Sequence, residues 1–236
     1  MSFVIEPPLP ASVAVYGQPQ RFPIHRIYCV GRNYAEHAKE MGDTGREPPF
    51  FFMKPADAVL TTAHGHTTDA DVLHMPYPSL TSNLHHEVEL VVAIGRGGRN
   101  IAVHDAMQHV WGYAVGLDMT RRDLQSAMKQ QGRPWCIAKA FDSSAPIGAI
   151  TPVKDAGDMT HAAIWLQVNG QDRQRSRLDQ QIWNIAETIA HLSQAWTLQA
   201  GDLIMTGTPE GVGAVHVGDV LAAGIDGLST LNVRIS

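Results

Sequence analysis

The sequence predicts a β-rich α+β fold. Segments with the alternating or continuous apolar pattern of β-strands outnumber segments with helical periodicity. The two kinds of segment do not alternate regularly along the chain, which argues against a doubly wound parallel sheet. The Asn-Gly pair in "IWLQVNGQDRQR" is typical of a tight hairpin turn between antiparallel strands. We therefore expect sheets that contain hairpins, together with a few helices.

The N-terminal half begins with a segment rich in Pro and Gln. We interpret residues 1–23 as an arm or small cap, and we expect the main domain to span residues 24–236. A buried strand is predicted just after the arm, followed by a short helix with Asn33 as its N-cap and Gly42 as its stop. Beyond this helix, "PPFFFMKPADAVL" predicts another apolar strand bounded by prolines.

Further along the chain lies the predicted strand "HEVELVVAIG", which a glycine turn ends. Ala102, Ala106 and Val110 have helical spacing and predict a helix before the next strand. That strand is expected to end near Asp118, where another helix begins. A longer amphipathic helix is predicted in "QQIWNIAETIAHLSQAW", and the remaining segments return to strand and turn.

Composition excludes several classes of function. The chain has 236 residues, of which 44% are hydrophobic and 17% charged, and its net charge is -5. It lacks the basic excess of a nucleic-acid-binding protein, so no nucleic-acid partner is expected. Two scattered cysteines predict neither a disulfide framework nor a zinc site. Because no apolar run approaches the length of a membrane span and no signal peptide is evident, we expect a soluble, cytoplasmic protein without a membrane partner.

Acidic residues on a predicted strand are the first candidates for a functional site. Glu87 and Glu89 alternate in "HHEVEL", so both point to one face of the strand. That face is either exposed to solvent or supplies paired negative charge to a cation. Asp118 follows small and apolar residues, where an ionised carboxylate costs several kcal/mol unless a cation compensates it; it could also cap the next helix. Three oxygen ligands without a nearby thiolate favour Mg²⁺ or Mn²⁺ over zinc.

Three further patterns admit both a functional and a structural interpretation. His37 and Glu40 are three residues apart on the predicted helix, so the carboxylate can orient the imidazole as a general base, although surface pairs have the same spacing. Lys139 lies among apolar and small residues, and its ammonium can extend either to the surface or into a polar pocket. The segment "MTGTPEGVG" lacks the order of a phosphate-binding loop, and we interpret it as a glycine turn presenting Thr206 and Thr208.

Taken together, an ordered set of segments closely resembles the fumarylacetoacetate hydrolase family. The resemblance runs from about Ile24 to the C-terminus and is carried by "GRNYAEHAKEMG", "FFFMKPADAV", "HHEVELVVAIG", "GLDMTRRDLQ", "PWCIAKAFDSSAP", "VNG" and "LIMTGTPEGVG". It implies a mixed β-roll or sandwich with flanking helices, commonly assembled as a homodimer. Within the family, the short chain and the segments "PPFFFMKPADAV", "GRPW" and "LDQQIWN" are most similar to the fumarylpyruvate hydrolases of gentisate degradation.

The resemblance also implies a role for nine residues. Glu87, Glu89 and Asp118 match the family's ligands for one divalent cation, Mg²⁺ or Mn²⁺. His37 and Glu40 match the pair that activates water.

Four more residues match positions at the substrate. Lys139 and Gln125 match residues that contact the reacting end of the substrate, and Thr208 and Arg122 match polar groups of the same pocket. A distal carboxylate on the substrate would require a cation or amide donors in the pocket, and Arg32, Arg46, Arg121 and Arg133 are the candidate cations.

The expected activity is hydrolysis of a carbon–carbon bond in a ketonic substrate. The resemblance implies a metal-dependent enzyme that cleaves an acylpyruvate, and the motifs favour fumarylpyruvate, which yields fumarate and pyruvate. Alternatives within the same chemistry are hydrolysis of simpler acylpyruvates, decarboxylation of oxaloacetate, and isomerisation of 2-hydroxyhepta-2,4-diene-1,7-dioate. A metal-stabilised binding domain without turnover is the alternative outside enzymes.

Overall fold

The computed structural model describes residues 2–34, 47–62 and 71–236. Within these ranges the chain is β-rich, with short strands and few helices, so the predicted α+β class is confirmed. The first nine strands are β1 (Ser12–Ala14), β2 (Arg21–Pro23), β3 (Ile27–Gly31), β4 (Phe50–Lys54), β5 (Val59–Leu60), β6 (Val72–Met75), β7 (Leu84–His86), β8 (Val88–Ile94) and β9 (Val110–Leu117). The later strands are β10 (Thr120–Arg121), β11 (Ala145–Pro146), β12 (Thr151–Pro152), β13 (Ala163–Val168), β14 (Gln171–Arg177), β15 (Leu203–Met205), β16 (Gly213–Val215), β17 (Val220–Ile225) and β18 (Leu231–Ile235).

Helices occupy a small part of the described chain. The α-helices are α1 (Arg122–Gln130), α2 (Cys136–Lys139), α3 (Val153–Ala156) and α4 (Ile185–Ala195), and short 3₁₀ turns cover Ala56–Ala58, Ala106–His109 and Leu178–Gln180. The amphipathic helix predicted near the C-terminus is confirmed as α4. Its N-cap is Asn184, which forms a reciprocal capping box with Glu187. Among the helices described, none has both the length and the apolar character needed to cross a membrane.

Two mixed sheets form most of the molecule. The larger has the strand order β12-β9-β8-β15-β3-β4, and the other has the order β14-β13-β17-β18-β6. Most neighbours are antiparallel, but β15 and β3 are parallel, as are β18 and β6. Apolar side chains from both sheets belong to one core cluster, which includes Val88 and Leu90 of β8, Ile164 of β13 and Val233 of β18.

Strand β8 is buried on both of its faces. Val88, Leu90 and Val92 belong to the larger core, as the alternation predicts. Val91 and Ala93 belong to a second core cluster on the opposite face of the sheet. The face that carries the two glutamates is therefore also an interior face, and the interpretation of these residues as the exposed side of a half-buried strand is wrong.

Two local predictions have different outcomes. The helix expected from the spacing of Ala102, Ala106 and Val110 is wrong, because Val110 begins β9 and pairs with Ile94; only a 3₁₀ turn precedes it. The hairpin at Asn169 and Gly170 is confirmed. Both residues have a positive φ, 52° and 76°, as a type I′ turn requires, and they join β13 to the antiparallel β14.

Candidate active site

Three buried carboxylates converge where adjacent strands approach their ends. Glu87 lies at the break between β7 and β8, Glu89 lies on β8, and Asp118 follows β9. The pairing of Val88 with Leu117, and the Asp118 N–H that donates to the Glu87 carbonyl at 2.9 Å, align the strands. One potential ligand oxygen from each acid lies within 4.8 Å of the others. The structure therefore brings together the three acids that the sequence singled out.

Lys139, at the end of α2, lies within this cluster. Its Nζ donates to Glu87 Oε2 at 2.7 Å and to Asp118 Oδ2 at 2.6 Å. The side chain is only 3% exposed, so the alternative in which the ammonium reaches the surface is wrong. Burial opposes the charge of this ammonium, but Asp118 and Glu87 outweigh burial and raise the pKa of Lys139. The lysine is therefore a charged donor at the centre of the acidic cluster.

Lys54 is a second buried ammonium, and residue-by-residue inspection of the sequence did not single it out. It ends β4, and its Nζ lies 2.9 Å from Asp118 Oδ1. The same nitrogen donates to the Lys139 carbonyl and, at 3.4 Å, to the Met119 carbonyl. A lysine at the end of the apolar run "FFFMK" was the available signal, because such a residue must find a partner once its strand is buried.

We expect Lys54→Met to destabilise the metal-free protein by about 3 kcal/mol, because it leaves part of the Asp118 charge buried without compensation. Urea unfolding in the presence of EDTA measures the change. Lys154→Met is the matched control, since Lys154 is exposed on α3 and its replacement is expected to change stability by less than about 0.5 kcal/mol. Equal stability of the two variants would show that the contact between Lys54 and Asp118 is not stabilising.

The remaining negative charge in the cluster fits a divalent cation. Glu89 Oε2 accepts the Gly207 N–H at 2.8 Å, but Glu89 has no ion-pair partner among residues 2–34, 47–62 and 71–236. Burial, followed by the nearby Asp118 and Glu87 charges, raises the pKa of Glu89 well above its ordinary value. Asp118 Oδ1 is buried without a hydrogen bond of good geometry, despite the nearby Lys54. These hard oxygen donors suit Mg²⁺ or Mn²⁺.

A small, partly open cavity adjoins the carboxylates. Its volume is about 30 Å³, room for about two water-sized groups. The residues predicted at the substrate also line it, namely Lys139, Gln125, Arg122 and Thr208. Arg122 donates to Glu87 Oε1 and to Gln125 Oε1, so it holds both side chains at the cavity wall. The cavity thus has a carboxylate side and a side rich in hydrogen-bond donors.

Other predicted residues divide into three groups. His37 and Glu40, the expected water-activating pair, lie outside the described residues, as does Arg46. Arg32 lines the cavity beside the carboxylates. Arg121 instead donates to the Ile137 carbonyl at 2.9 Å and stacks over Phe141, and Arg133 is exposed. Of the described arginines that were candidates for a distal carboxylate, Arg32 alone lines this cavity.

Comparison with known proteins identifies the family. A family model described as fumarylacetoacetate (FAA) hydrolase C-terminal matches residues 26–236. The chain belongs to the fumarylacetoacetate hydrolase family. The resemblance inferred from its ordered motifs is confirmed, and so is the fold that the resemblance implied.

Proteins similar to this chain are named for several different activities. The crystal structure of fumarylpyruvate hydrolase from Pseudomonas aeruginosa, in complex with Mn²⁺ and pyruvate, has 56% sequence identity and a TM-score of 0.94, covering 99% of each chain. The mitochondrial oxaloacetate tautomerase of Rattus norvegicus is 43% identical over 89% of this chain and 90% of its own length. The mitochondrial oxaloacetate decarboxylase of Dictyostelium discoideum is 42% identical over 87% and 90%.

Proposed function

We propose that this protein is a metal-dependent hydrolase that cleaves fumarylpyruvate to fumarate and pyruvate. The observation that carries the proposal is the buried cluster of Glu87, Glu89 and Asp118 with Lys139 among them. The similarity to the Pseudomonas aeruginosa fumarylpyruvate hydrolase, 56% identical and crystallised with Mn²⁺ and pyruvate, supports the choice of substrate and cation. The gentisate route and the homodimer implied by the motifs stay predictions.

In this proposal Glu87, Glu89 and Asp118 hold one Mg²⁺ or Mn²⁺ ion. The ion, when bound, supplies Lewis-acid polarisation of the pyruvate end of the substrate. The protein limits the access of bulk solvent to this region, because the three acids are at most 4% exposed. In a water-poor site the charges interact more strongly than they would in bulk solvent.

The remaining steps belong to side chains of the protein. His37, oriented by Glu40, takes a proton from a water molecule, whose oxygen adds to the carbonyl carbon of the fumaroyl group. Lys139 and Gln125, both at the cavity wall, donate hydrogen bonds to the oxygen that becomes negative. The bond between the fumaroyl carbon and the methylene carbon then breaks, and its electron pair leaves with the pyruvate fragment. That fragment takes up a proton, so that fumarate and pyruvate are the products.

We propose Arg32 as the partner of the distal carboxylate of the substrate. It lines the same cavity as the acidic cluster, and it adopts a left-handed backbone conformation with a φ of 56°. Non-glycine residues in this conformation are uncommon and occur often at functional sites. A guanidinium offers paired donors to a carboxylate, a geometry that a lysine cannot reproduce.

The decisive experiment follows the loss of enol absorbance with purified protein and Mn²⁺. Fumarylpyruvate, maleylpyruvate, acetylpyruvate and oxaloacetate are compared at equal concentration, with an EDTA-treated sample as the control. We expect kcat/KM for fumarylpyruvate to exceed that for acetylpyruvate by roughly tenfold or more, because acetylpyruvate lacks the distal carboxylate. Equal rates on all four compounds would contradict the substrate assignment, and full activity in EDTA would contradict the role of the metal.

Conversion of oxaloacetate is the second candidate function. It is favoured by the similarity to the rat oxaloacetate tautomerase and the Dictyostelium discoideum oxaloacetate decarboxylase, at 43% and 42% identity. Both substrates have a 2-oxo acid end that the same carboxylate-rich cavity could receive. The products separate the alternatives: decarboxylation yields pyruvate and carbon dioxide, tautomerisation yields neither, and fumarylpyruvate hydrolysis yields fumarate.

A further inference from the structure

Gln174, on β14, connects the strand of the acidic cluster with the loop that carries Thr208. Its side chain is 1% exposed. Its Oε1 accepts the Val88 N–H at 3.1 Å and also lies 3.0 Å from His86 Nδ1. Its Nε2 donates to the Pro209 carbonyl at 2.9 Å and to Thr208 Oγ1 at 2.8 Å. The orientation of the amide is unambiguous, because a backbone N–H can only donate and a backbone carbonyl can only accept.

The position of this amide follows from a gap in the sheet. On the side of the strand that faces away from β9, β16 pairs with β7 as far as His86. On that side β15 pairs with β8 only from Val91 onward, so no strand pairs with the residues between them. On the other side, the Glu87 carbonyl already accepts a hydrogen bond from Asp118. The Val88 N–H therefore faces a stretch without a pairing strand, and Gln174 supplies the acceptor there.

The hydrogen bond from Gln174 also determines what the Thr208 hydroxyl can do. A hydroxyl that accepts a hydrogen bond through its oxygen still has its own proton to donate. Among the described residues, Thr208 donates to none, and it lines the cavity beside the acidic cluster. Thr206, two residues earlier, is different. Its hydroxyl accepts a hydrogen bond from Gln181 at 2.9 Å and donates one to the Leu90 carbonyl at 3.0 Å. Its oxygen and its proton are therefore both engaged within the protein.

We propose that Gln174 is a positioning residue that fixes the Thr208 hydroxyl as a donor to an anionic oxygen of the ligand in the cavity. By donating to Oγ1, the amide directs the hydroxyl proton away from itself. The natural acceptor is a carboxylate or enolate oxygen of the substrate, an identity that rests on the proposed function. Gln174 itself does not line the cavity and acts through Thr208.

Substitutions at Gln174 and Thr208 test the direction of the hydrogen bond between them. Gln174→Glu keeps an acceptor for the Val88 N–H but replaces the donor with a carboxylate, to which the Thr208 hydroxyl would then donate. Thr208→Val removes the hydroxyl, and Thr208→Ser keeps it. Thr206→Val is the matched control, since it removes a neighbouring hydroxyl whose proton is already used. The probe is oxalate, a small dianion, and its dissociation constant is measured by calorimetry with Mn²⁺-saturated protein.

We expect Gln174→Glu and Thr208→Val each to weaken oxalate binding roughly tenfold to a hundredfold, the range for a hydrogen bond to a charged group. The double variant is expected to bind no more weakly than Thr208→Val alone, because the amide acts through the hydroxyl. Thr206→Val is expected to bind oxalate as the unmodified protein does, and Thr208→Ser, which keeps the hydroxyl, is expected to bind oxalate more tightly than Thr208→Val. Losses that add in the double variant would overturn the proposal, since repulsion by the new carboxylate would persist without Thr208.

Gln174→Met distinguishes an effect on the direction of the Thr208 hydrogen bond from an effect on the structure of the sheet. Methionine leaves the Val88 N–H unpaired but lets the Thr208 hydroxyl rotate freely, so we expect oxalate affinity between those of the unmodified protein and Gln174→Glu. A merely structural role predicts the reverse order, because methionine removes more of the supporting contacts than glutamate does. If Gln174→Glu does not fold, Gln174→Met with and without Thr208→Val gives the same test of coupling.

The outcome is independent of the proposed reaction. Oxalate binding requires no turnover, so a protein that fails to cleave fumarylpyruvate but shows the coupling between Gln174 and Thr208 keeps this inference and loses the substrate assignment. A protein that cleaves fumarylpyruvate but binds oxalate equally well with and without the Thr208 hydroxyl keeps the activity and loses the inference.

Discussion

Glu89→Gln is expected to weaken divalent-cation binding roughly a hundredfold and, with it, to reduce turnover. Glutamine has the same shape and can still accept the Gly207 N–H, so the substitution removes little except negative charge. Glu87 and Asp118 are paired with ammonium or guanidinium groups, whereas Glu89 is paired with none of those described. It is therefore the carboxylate whose charge the cation must balance. Losing such a buried charge pair costs about 3 kcal/mol, or roughly a hundredfold in Mn²⁺ affinity.

Calorimetric titration with Mn²⁺ measures this loss, and the enol-absorbance assay measures the activity. Glu6→Gln, which removes the same charge from an exposed position of the N-terminal segment, is the control and is expected to bind Mn²⁺ normally. Normal Mn²⁺ affinity in Glu89→Gln would exclude Glu89 as a ligand and would require a different assignment of the cluster.

Glu89→Gln weakens cation binding, but it is expected to stabilise the metal-free protein relative to the unmodified protein as the pH rises. Because folding raises the pKa of Glu89 above its ordinary value of 4.5, the folded protein holds this proton more tightly than the unfolded chain does. Stability from this group is therefore present below pH 4.5 and is lost as the pH rises toward the folded pKa. In EDTA, the melting temperature of Glu89→Gln relative to the unmodified protein should rise over that interval. A difference independent of pH would contradict the raised pKa.

The acidic cluster shows how much of a site a local sequence pattern can predict. Alternation placed Glu87 and Glu89 on one face, because that consequence depends only on the geometry of a strand. It did not decide whether the face was exposed. Burial of that face depends on Val91 and Ala93 meeting a second core, and that core includes residues from distant strands. The ordered motifs favoured an interior face, because they linked the two glutamates to Asp118 as ligands of one cation.

Residues that act through long-range contacts were harder to find. Lys54 and Asp118 are 64 positions apart in the sequence, and no local spacing relates them. Gln174 lies in "QDRQRSR", a polar strand whose pattern does not distinguish one buried glutamine from its exposed neighbours. The wrong helix at Ala102, Ala106 and Val110 has a related cause, because pairing of Val110 with Ile94 outweighed a helical spacing supported by few residues.

Two of the three acids are paired with cations before an ion binds. Glu87 and Asp118 contact Lys54, Lys139 and Arg122, whereas Glu89 has no ion-pair partner among the described residues. A divalent cation bound at Glu89 would add positive charge beside these three cations. An anionic ligand would balance that charge, which fits a substrate that carries carboxylate groups. The arrangement also means that the cations of the protein and the bound ion compete for the same carboxylate oxygens.

Lys139→Met is therefore expected to separate catalysis from metal binding. The substitution removes an ammonium that competes with the ion for the oxygens of Glu87 and Asp118, so Mn²⁺ affinity should be retained or increased. Turnover should fall by about 10² to 10³, the usual effect of removing one donor to a developing oxyanion.

Paired measurements of the Mn²⁺ dissociation constant and of kcat test this separation, with Lys154→Met on the exposed face of α3 as the charge-matched control. A loss of Mn²⁺ affinity as large as that of Glu89→Gln would mean that Lys139 assembles the cluster instead of serving the substrate. Normal kcat would exclude the ammonium from the reaction, because methionine has a similar volume but neither the charge nor the donors of lysine.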